Sequence, residues 1–250
     1  MIKILTLANR ELRALFSTAI GWLVLTAYLL VTGVFWFSGV VGYAERSADR
    51  VYDPYAAAQM QLPMLIGEFF GSCSIILLMI TPAISMRLFS EEFKQHTMEL
   101  LFTSPLSITQ IVIGKYLGAM GFLAILLAAT LHYPVSLALF GDVHLPMFAV
   151  GYATLMLMGS VIISIGMVFS AYTSNQIVAS VLTLGSSLAL FMVGVLAGTP
   201  DDWQYKLGMS THLSELLLGM VRLSDVAYFV ILTGVGLFLT HQRLESFRWR

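Results

Sequence analysis

Apolar runs of roughly twenty residues, with Glu68 the one carboxylate and no lysine or arginine inside them, recur six times along this chain, and nothing else in it constrains the fold as much. An α-helix rises about 1.5 Å per residue, so each run can cross a hydrocarbon core of about 30 Å. The runs are residues 19–41, 62–86, 116–140, 147–171, 177–198 and 226–240. The last is short and must draw on its flanks. The first, at 23 residues, is too long for a signal-peptide core and is expected to be retained. Only 11% of residues are charged and mean hydropathy is +0.85, whereas soluble chains carry about 25% charged residues. The expectation is an all-α membrane protein of six transmembrane helices, with residues 1–250 as one domain.

The basic residues orient it. With the N-terminus inside, Lys3, Arg10, Arg13, Arg87, Lys94, Lys115, Arg243, Arg248 and Arg250 are cytoplasmic, against Arg46, Arg50, Lys206 and Arg222 outside. Nine against four places both termini in the cytoplasm. Glu45, Asp49, Asp53, Asp142, Asp201 and Asp202 fall outside and carry little weight in that rule.

Three segments are not spans. Residues 1–18 put Ile4, Leu5, Ala8, Leu12, Leu15 and Phe16 on one helical face and Lys3, Thr6, Arg10 and Arg13 on the other. That pattern predicts an amphipathic helix along the anionic inner leaflet. Residues 90–104 predict a cytoplasmic helix capped by Ser90, with Glu91 and Glu92 in its first turn and Ser104-Pro105 as its stop. Phe93, Thr97, Leu100 and Leu101 form one face of it. Gln95, Met98 and Phe102 form another, beside Glu91. An inner-loop helix with two apolar sides can pack one on its own bundle and offer the other to a partner. In the outer stretch 199–224, Thr199-Pro200-Asp201-Asp202 predicts a turn. Trp203 and Tyr205 suit an interface, and Leu213, Leu216, Leu217 and Met220 line a helix too short to span. Arg222 and Asp225, three apart, are spaced to pair.

Chemistry-bearing motifs are few. Gly114-Lys115 lacks the hydroxyl residue and the earlier glycine of a phosphate-binding loop, so any ATP must be bound by another chain. The five histidines, His96, His132, His144, His212 and His241, are scattered, and Cys73 is the single cysteine. No metal site, cofactor or catalytic residue is expected, and Gly185-Ser186-Ser187 reads as small residues for close helix packing. Two polar groups fall within spans. Glu68 is a candidate functional carboxylate or a side chain snorkelling to the outer interface. His132, beside Tyr133-Pro134, marks a substrate site or a kink whose freed backbone groups are locally satisfied.

The run Ser90-Glu91-Glu92-Phe93-Lys94-Gln95-His96-Thr97-Met98-Glu99-Leu100-Leu101-Phe102-Thr103-Ser104-Pro105, followed by Gly114-Lys115, resembles the signature loop of ABC-2-type permeases. His96 stands where that family has glycine, so a more helical, stiffer turn is expected there. Asn175-Gln176-Ile177-Val178-Ala179, the run Leu207 to His212 and the run Asp225 to Phe229 are similar to the gliding-motility-associated (GldF-type) permeases. The resemblance implies an N-terminal connecting helix, a cytoplasmic coupling helix and outer re-entrant helices. It also implies a second permease copy or related permease-like subunit as partner, a separate cytoplasmic ABC ATPase subunit, and the bacterial inner membrane. Membrane lipid is a further expected partner, and nucleic acid is not. Docking of the ATPase is expected on Glu91, Glu92, Gln95, Met98, Glu99 and Phe102. The function implied is ATP-driven export, or alternatively transmission of the ATPase stroke to periplasmic machinery with nothing crossing the bilayer.

Overall fold

The apolar runs fold as helices because a buried backbone in lipid must satisfy its own polar groups. The computed structural model describes residues 2–49, 62–103, 106–138, 145–197, 199, 202–217 and 219–248. Arg50, Asp53, Ser104, Pro105, Asp142, His144, Pro200 and Asp201 lie outside these residues, as does the end of the third expected span. The helices are α1 (Ile2–Ser17), α2 (Ala19–Asp49), α3 (Leu62–Ser85), α4 (Arg87–Lys94), α5 (Met98–Thr103) and α6 (Ile108–Ala128). They continue with α7 (His132–Ala138), α8 (Leu145–Tyr172), α9 (Gln176–Val195), α10 (Trp203–Leu207), α11 (Met209–Leu217) and α12 (Leu223–Arg248). No strand occurs among the described residues. Six helical stretches are long and apolar enough to cross a membrane: Ala19–Glu45, Leu65–Lys94, Ile108–Ser136, Pro146–Tyr172, Gln176–Val195 and Leu223–Phe247.

α8 is the central post. Leu155, Met158, Val161, Ile162, Ile163 and Met167 are fully buried along it, and it packs against α3, α6, α9 and α12. Its few polar groups are answered internally, as where the Ser160 and Thr233 hydroxyls meet at 2.9 Å between α8 and α12. α2, α9 and α12 turn apolar faces outward, with Leu23, Phe37, Ile177, Val181 and Ile231 exposed. Faces of this kind require lipid or another chain.

The third span starts earlier than its apolar run. Ser107 accepts from the Gln110 amide at 3.2 Å, and the Gln110 side chain accepts from the Ser107 amide at 3.2 Å. This reciprocal cap starts α6 at Ile108. The span breaks between α6 and α7, where Pro134 cannot donate. The Tyr133 amide donates to the Thr130 carbonyl at 3.1 Å, and His132 Nδ1 lies 2.8 Å from the Ala129 carbonyl. His132 thus satisfies backbone freed by the kink.

α1 lies across the first half of α6, over glycines spaced to receive it. A β-carbon at Gly114 would sit 2.7 Å from Leu7 Cδ2, and one at Gly118 would sit 2.6 Å from Glu11 Cβ and 3.0 Å from the Ala8 carbonyl. The face so buried is Leu7, Ala8 and Leu15, with Leu12 and Phe16 partly covered. Leu5 is instead 61% exposed, while Lys3, Thr6, Arg10 and Arg13 face out as expected. The glycine groove, and not the apolar count of α1, sets this rotation.

Candidate functional site

α1, α4 and α6 meet around one buried cation. Lys115, with 2% of its side chain exposed, places Nζ 2.9 Å from Glu92 Oε1 and 3.2 Å from Glu11 Oε1. The same ammonium lies 5.3 Å from the centroid of the Phe89 ring. Arg10 adds a second positive charge, 3.0 Å from Glu11 and 3.6 Å from Glu92. Burial alone would raise the Glu11 carboxyl, but the Lys115 charge and the hydrogen bonds from Arg10 and Lys115 outweigh it and hold it below its ordinary range. The Gly-Lys pair of the sequence thereby acquires two distinct jobs: Gly114 admits Leu7, and Lys115 ties three helices together.

α4 is further fixed to the α1–α2 corner. Arg87 donates to Glu91 Oε2 at 3.1 Å and to the Thr18 hydroxyl at 2.9 Å. Between α1 and α4 opens a cleft of about 710 Å³, with Leu7, Glu11, Leu15, Arg87, Glu92 and Leu101 on its walls.

The coupling segment is not the single helix expected from residues 90–104. Met86 keeps helical backbone angles, so α4 nearly continues α3. Ser90 is wholly buried inside α4, its hydroxyl bonded to the Met86 carbonyl, and it caps nothing. Glu91 and Glu92 consequently lie beyond the first turn. α4 ends at Lys94, and His96, just past its C-cap Gln95, has a φ of 56°. The Thr97 amide reaches back to the Glu92 carbonyl at 3.0 Å and the His96 amide to Phe93 at 3.4 Å, which is the Schellman ending with His96 in its left-handed position. The expected stiffer, more helical turn at His96 is therefore corrected: the chain takes the conformation that favours glycine, with histidine in it. A left-handed non-glycine residue costs about 1 kcal/mol. His96→Gly should raise resistance to unfolding by about 0.5–1 kcal/mol, read from equilibrium unfolding in mixed micelles.

The left-handed residue resets the helical phase, and that moves the expected docking residues. Met98 is 5% exposed, in the core, and not on an outward face. Phe102 packs partly buried against the same core, Leu101 is buried, and the Leu100 side chain is outside the description. Glu91 and Glu92 are engaged in the ion pairs above. Gln95 and Glu99 remain exposed, and Lys94 and His96 join them around the turn. Phe93 packs against Phe247 near the end of α12, ring centroids 5.1 Å apart. Arg243 lies one turn back over Phe247 at 4.4 Å and over Tyr172 at 4.5 Å.

At the opposite end of α12, α10 and α11 form a short hairpin against α9. Leu213, Leu216 and Leu217 are buried as expected, but Met220 is 48% exposed because α11 ends at Leu217 and Gly219 turns the chain at φ 82°. The expected Arg222–Asp225 pair does not form. α12 starts at Leu223, so Arg222 lies off the helix and pairs with Glu215, while Asp225 meets His212 Nδ1 at 2.7 Å. Tyr228 stacks on His212 at 4.2 Å and donates to the Leu207 carbonyl at 2.6 Å. The runs Leu207 to His212 and Asp225 to Phe229 are thus one contact. Asn175 caps α9, accepting from the Ile177 amide at 2.9 Å. Glu68 is exposed on α3. Among the described residues no three metal-binding side chains converge.

A family model described as "ABC-2 family transporter protein" matches residues 51–238, a stretch that takes in spans two to five, the α4–α5 segment, the hairpin and most of α12. The chain belongs to the ABC-2 transporter family. No curated protein matches it. With six apolar helices, this ABC-2 chain is a multi-pass membrane protein and a permease subunit of the ABC transporter type. ABC-2 permeases generally work with an ATPase subunit.

Proposed function

We propose that this permease subunit couples ATP hydrolysis on a separate ATPase to export across the bacterial inner membrane, with both termini cytoplasmic and α1 along the inner leaflet. In this reading it works with a second permease copy or a related subunit, and the α4–α5 turn receives the stroke. The observation that carries it is how that turn is mounted. Lys94, Gln95, His96 and Glu99 stand out from a segment otherwise fixed to the bundle through Glu92–Lys115 and Phe93–Phe247. A partner pressing on the turn therefore moves α6 and α12 with it.

Gln95→Arg with Glu99→Arg should remove the ATPase from the purified complex while the permease remains inserted and folded. Undiminished co-purification of the ATPase with that double variant would overturn the assignment. A second reading, transmission of the stroke to periplasmic machinery, draws support from α12. That single helix touches the coupling segment at Phe247 and the hairpin at Asp225. It also fits the likeness of the Leu207–His212 and Asp225–Phe229 runs to gliding-type permeases. A crosslink fixing the hairpin to α9 separates the two: it blocks an exporter, and it leaves a force-transmitting complex assembled with transport irrelevant to its output.

A further inference from the structure

We propose that His212 is a protonation-dependent latch that fastens the α10–α11 hairpin to the head of α12. The inference rests on hydrogen-bond geometry and is independent of what the permease moves. His212 Nδ1 lies 2.7 Å from Asp225 Oδ1, and its Nε2 lies 3.1 Å from the Lys206 carbonyl. Both partners are acceptors only, a carboxylate and a backbone oxygen. A neutral imidazole has one N–H and can serve one of them, leaving a lone pair pointed at the other oxygen. The imidazolium serves both. The site thus ties together the end of α10, the first turns of α11 and the first turn of α12 through a ring whose charge decides whether the knot closes.

The surroundings make that charge count. Asp225 is 4% exposed, and its second oxygen has no hydrogen-bond partner among the described residues. A buried carboxylate in this state depends on the positive charge beside it. Tyr228 stacks flat on the ring, with planes 24° apart, and fixes its orientation. The other charges nearby are already committed: Glu215 holds Arg222 and accepts from the Tyr205 hydroxyl at 2.9 Å. α8 and α9, which pack against α11, carry no charged residue, and α3 carries only Glu68, which is exposed. Among the described residues His212 is the cation paired with Asp225. Lys206 contributes its carbonyl to the ring while its own side chain faces outward.

The sign follows from the donors. With the ring doubly protonated the latch is closed; with it neutral one hydrogen bond and the charge opposite Asp225 are lost, and the hairpin loosens. The test is backbone hydrogen exchange of residues 203–217 in the full chain in lipid nanodiscs, on either side of the histidine range, at about pH 5 and about pH 8 after correction for intrinsic rates. Protection should fall by about tenfold to a hundredfold on going to the higher pH, the effect of one charge-assisted hydrogen bond. The midpoint should coincide with the titration of His212 itself, followed by exchange at its imidazole C2. His212→Gln should show weak protection at both values, and Asp225→Asn should flatten the response while preserving volume. Equal protection of the wild-type chain at both pH values overturns the latch, whatever the variants do. So does a pH response that survives in His212→Gln, or a midpoint that departs from the His212 titration.

Discussion

Lys115→Ala is expected to detach α1 from α6 and to destabilise the chain by about 3–5 kcal/mol, the loss typical when one partner of a buried ion pair is removed. Glu92 and Glu11 both approach the Lys115 ammonium within 3.2 Å, and among the described residues Arg10, 59% exposed, is the other cation in contact with them. Without Lys115 two half-buried carboxylates face one another across the α1–α4 junction. Equilibrium unfolding in mixed micelles should show the loss, and a cysteine introduced at Leu7 should become open to thiol labelling. The triple variant Lys115→Met, Glu11→Gln, Glu92→Gln removes the charges together and should recover most of the deficit. A Lys115→Ala chain as stable as the wild type would mean that the cluster contributes nothing. The same cluster fixes a pH response. The Glu11 carboxyl is held below its usual range, so its contribution is complete above about pH 4–5 and disappears as the pH falls through the lowered value. Attachment of α1 should therefore be flat across the neutral range and weaken only in stronger acid.

The six spans were legible because length without charge leaves a helix few alternatives in lipid. What escaped was whatever depends on a distant partner. The third apolar run begins at Tyr116, just after Lys115. Glu11, 104 positions earlier, supplies the charge that lets α6 start before it. The Ser107–Gln110 cap lies outside the apolar run, so hydropathy alone does not mark it as the start of α6. Face assignment in the coupling segment failed for a local reason. Unbroken helical periodicity through His96 puts Met98 on an outward face, whereas one left-handed residue there turns it inward. At the hairpin, the three-residue spacing of Arg222 and Asp225 presumed a common helix, but α12 begins between them. His212 looked like one of several scattered histidines because its partner, Asp225, is reached only when the chain turns at Gly219.

That hairpin also carries the second large expected effect. Gly208→Ala should separate α10 and α11 from α9, because a β-carbon at Gly208 would lie 2.1 Å from the Gly194 α-carbon and 2.3 Å from its amide nitrogen. Both obstacles are backbone, so no rotamer change relieves them. The residue's φ of −71° is open to any amino acid, which leaves space as the sole reason for glycine. Overpacking in a tight site costs about 1–3 kcal/mol, and more where only backbone can give way. Here the displacement also pulls the Leu207 carbonyl from Tyr228, which bonds it at 2.6 Å. The expected signature is faster exchange throughout residues 203–217, together with a lowered unfolding midpoint. Gly185→Ala is the matched control: contrary to the close packing expected of Gly185, nothing lies within 4 Å of the methyl it would add to α9, and it should leave both readings unchanged or slightly improved through helix propensity. If Gly208→Ala behaves like Gly185→Ala, the backbones of α9 and the hairpin do not cross at Gly194. The hairpin would then be held by Leu213, Leu216, Leu217 and the His212–Asp225 contact alone.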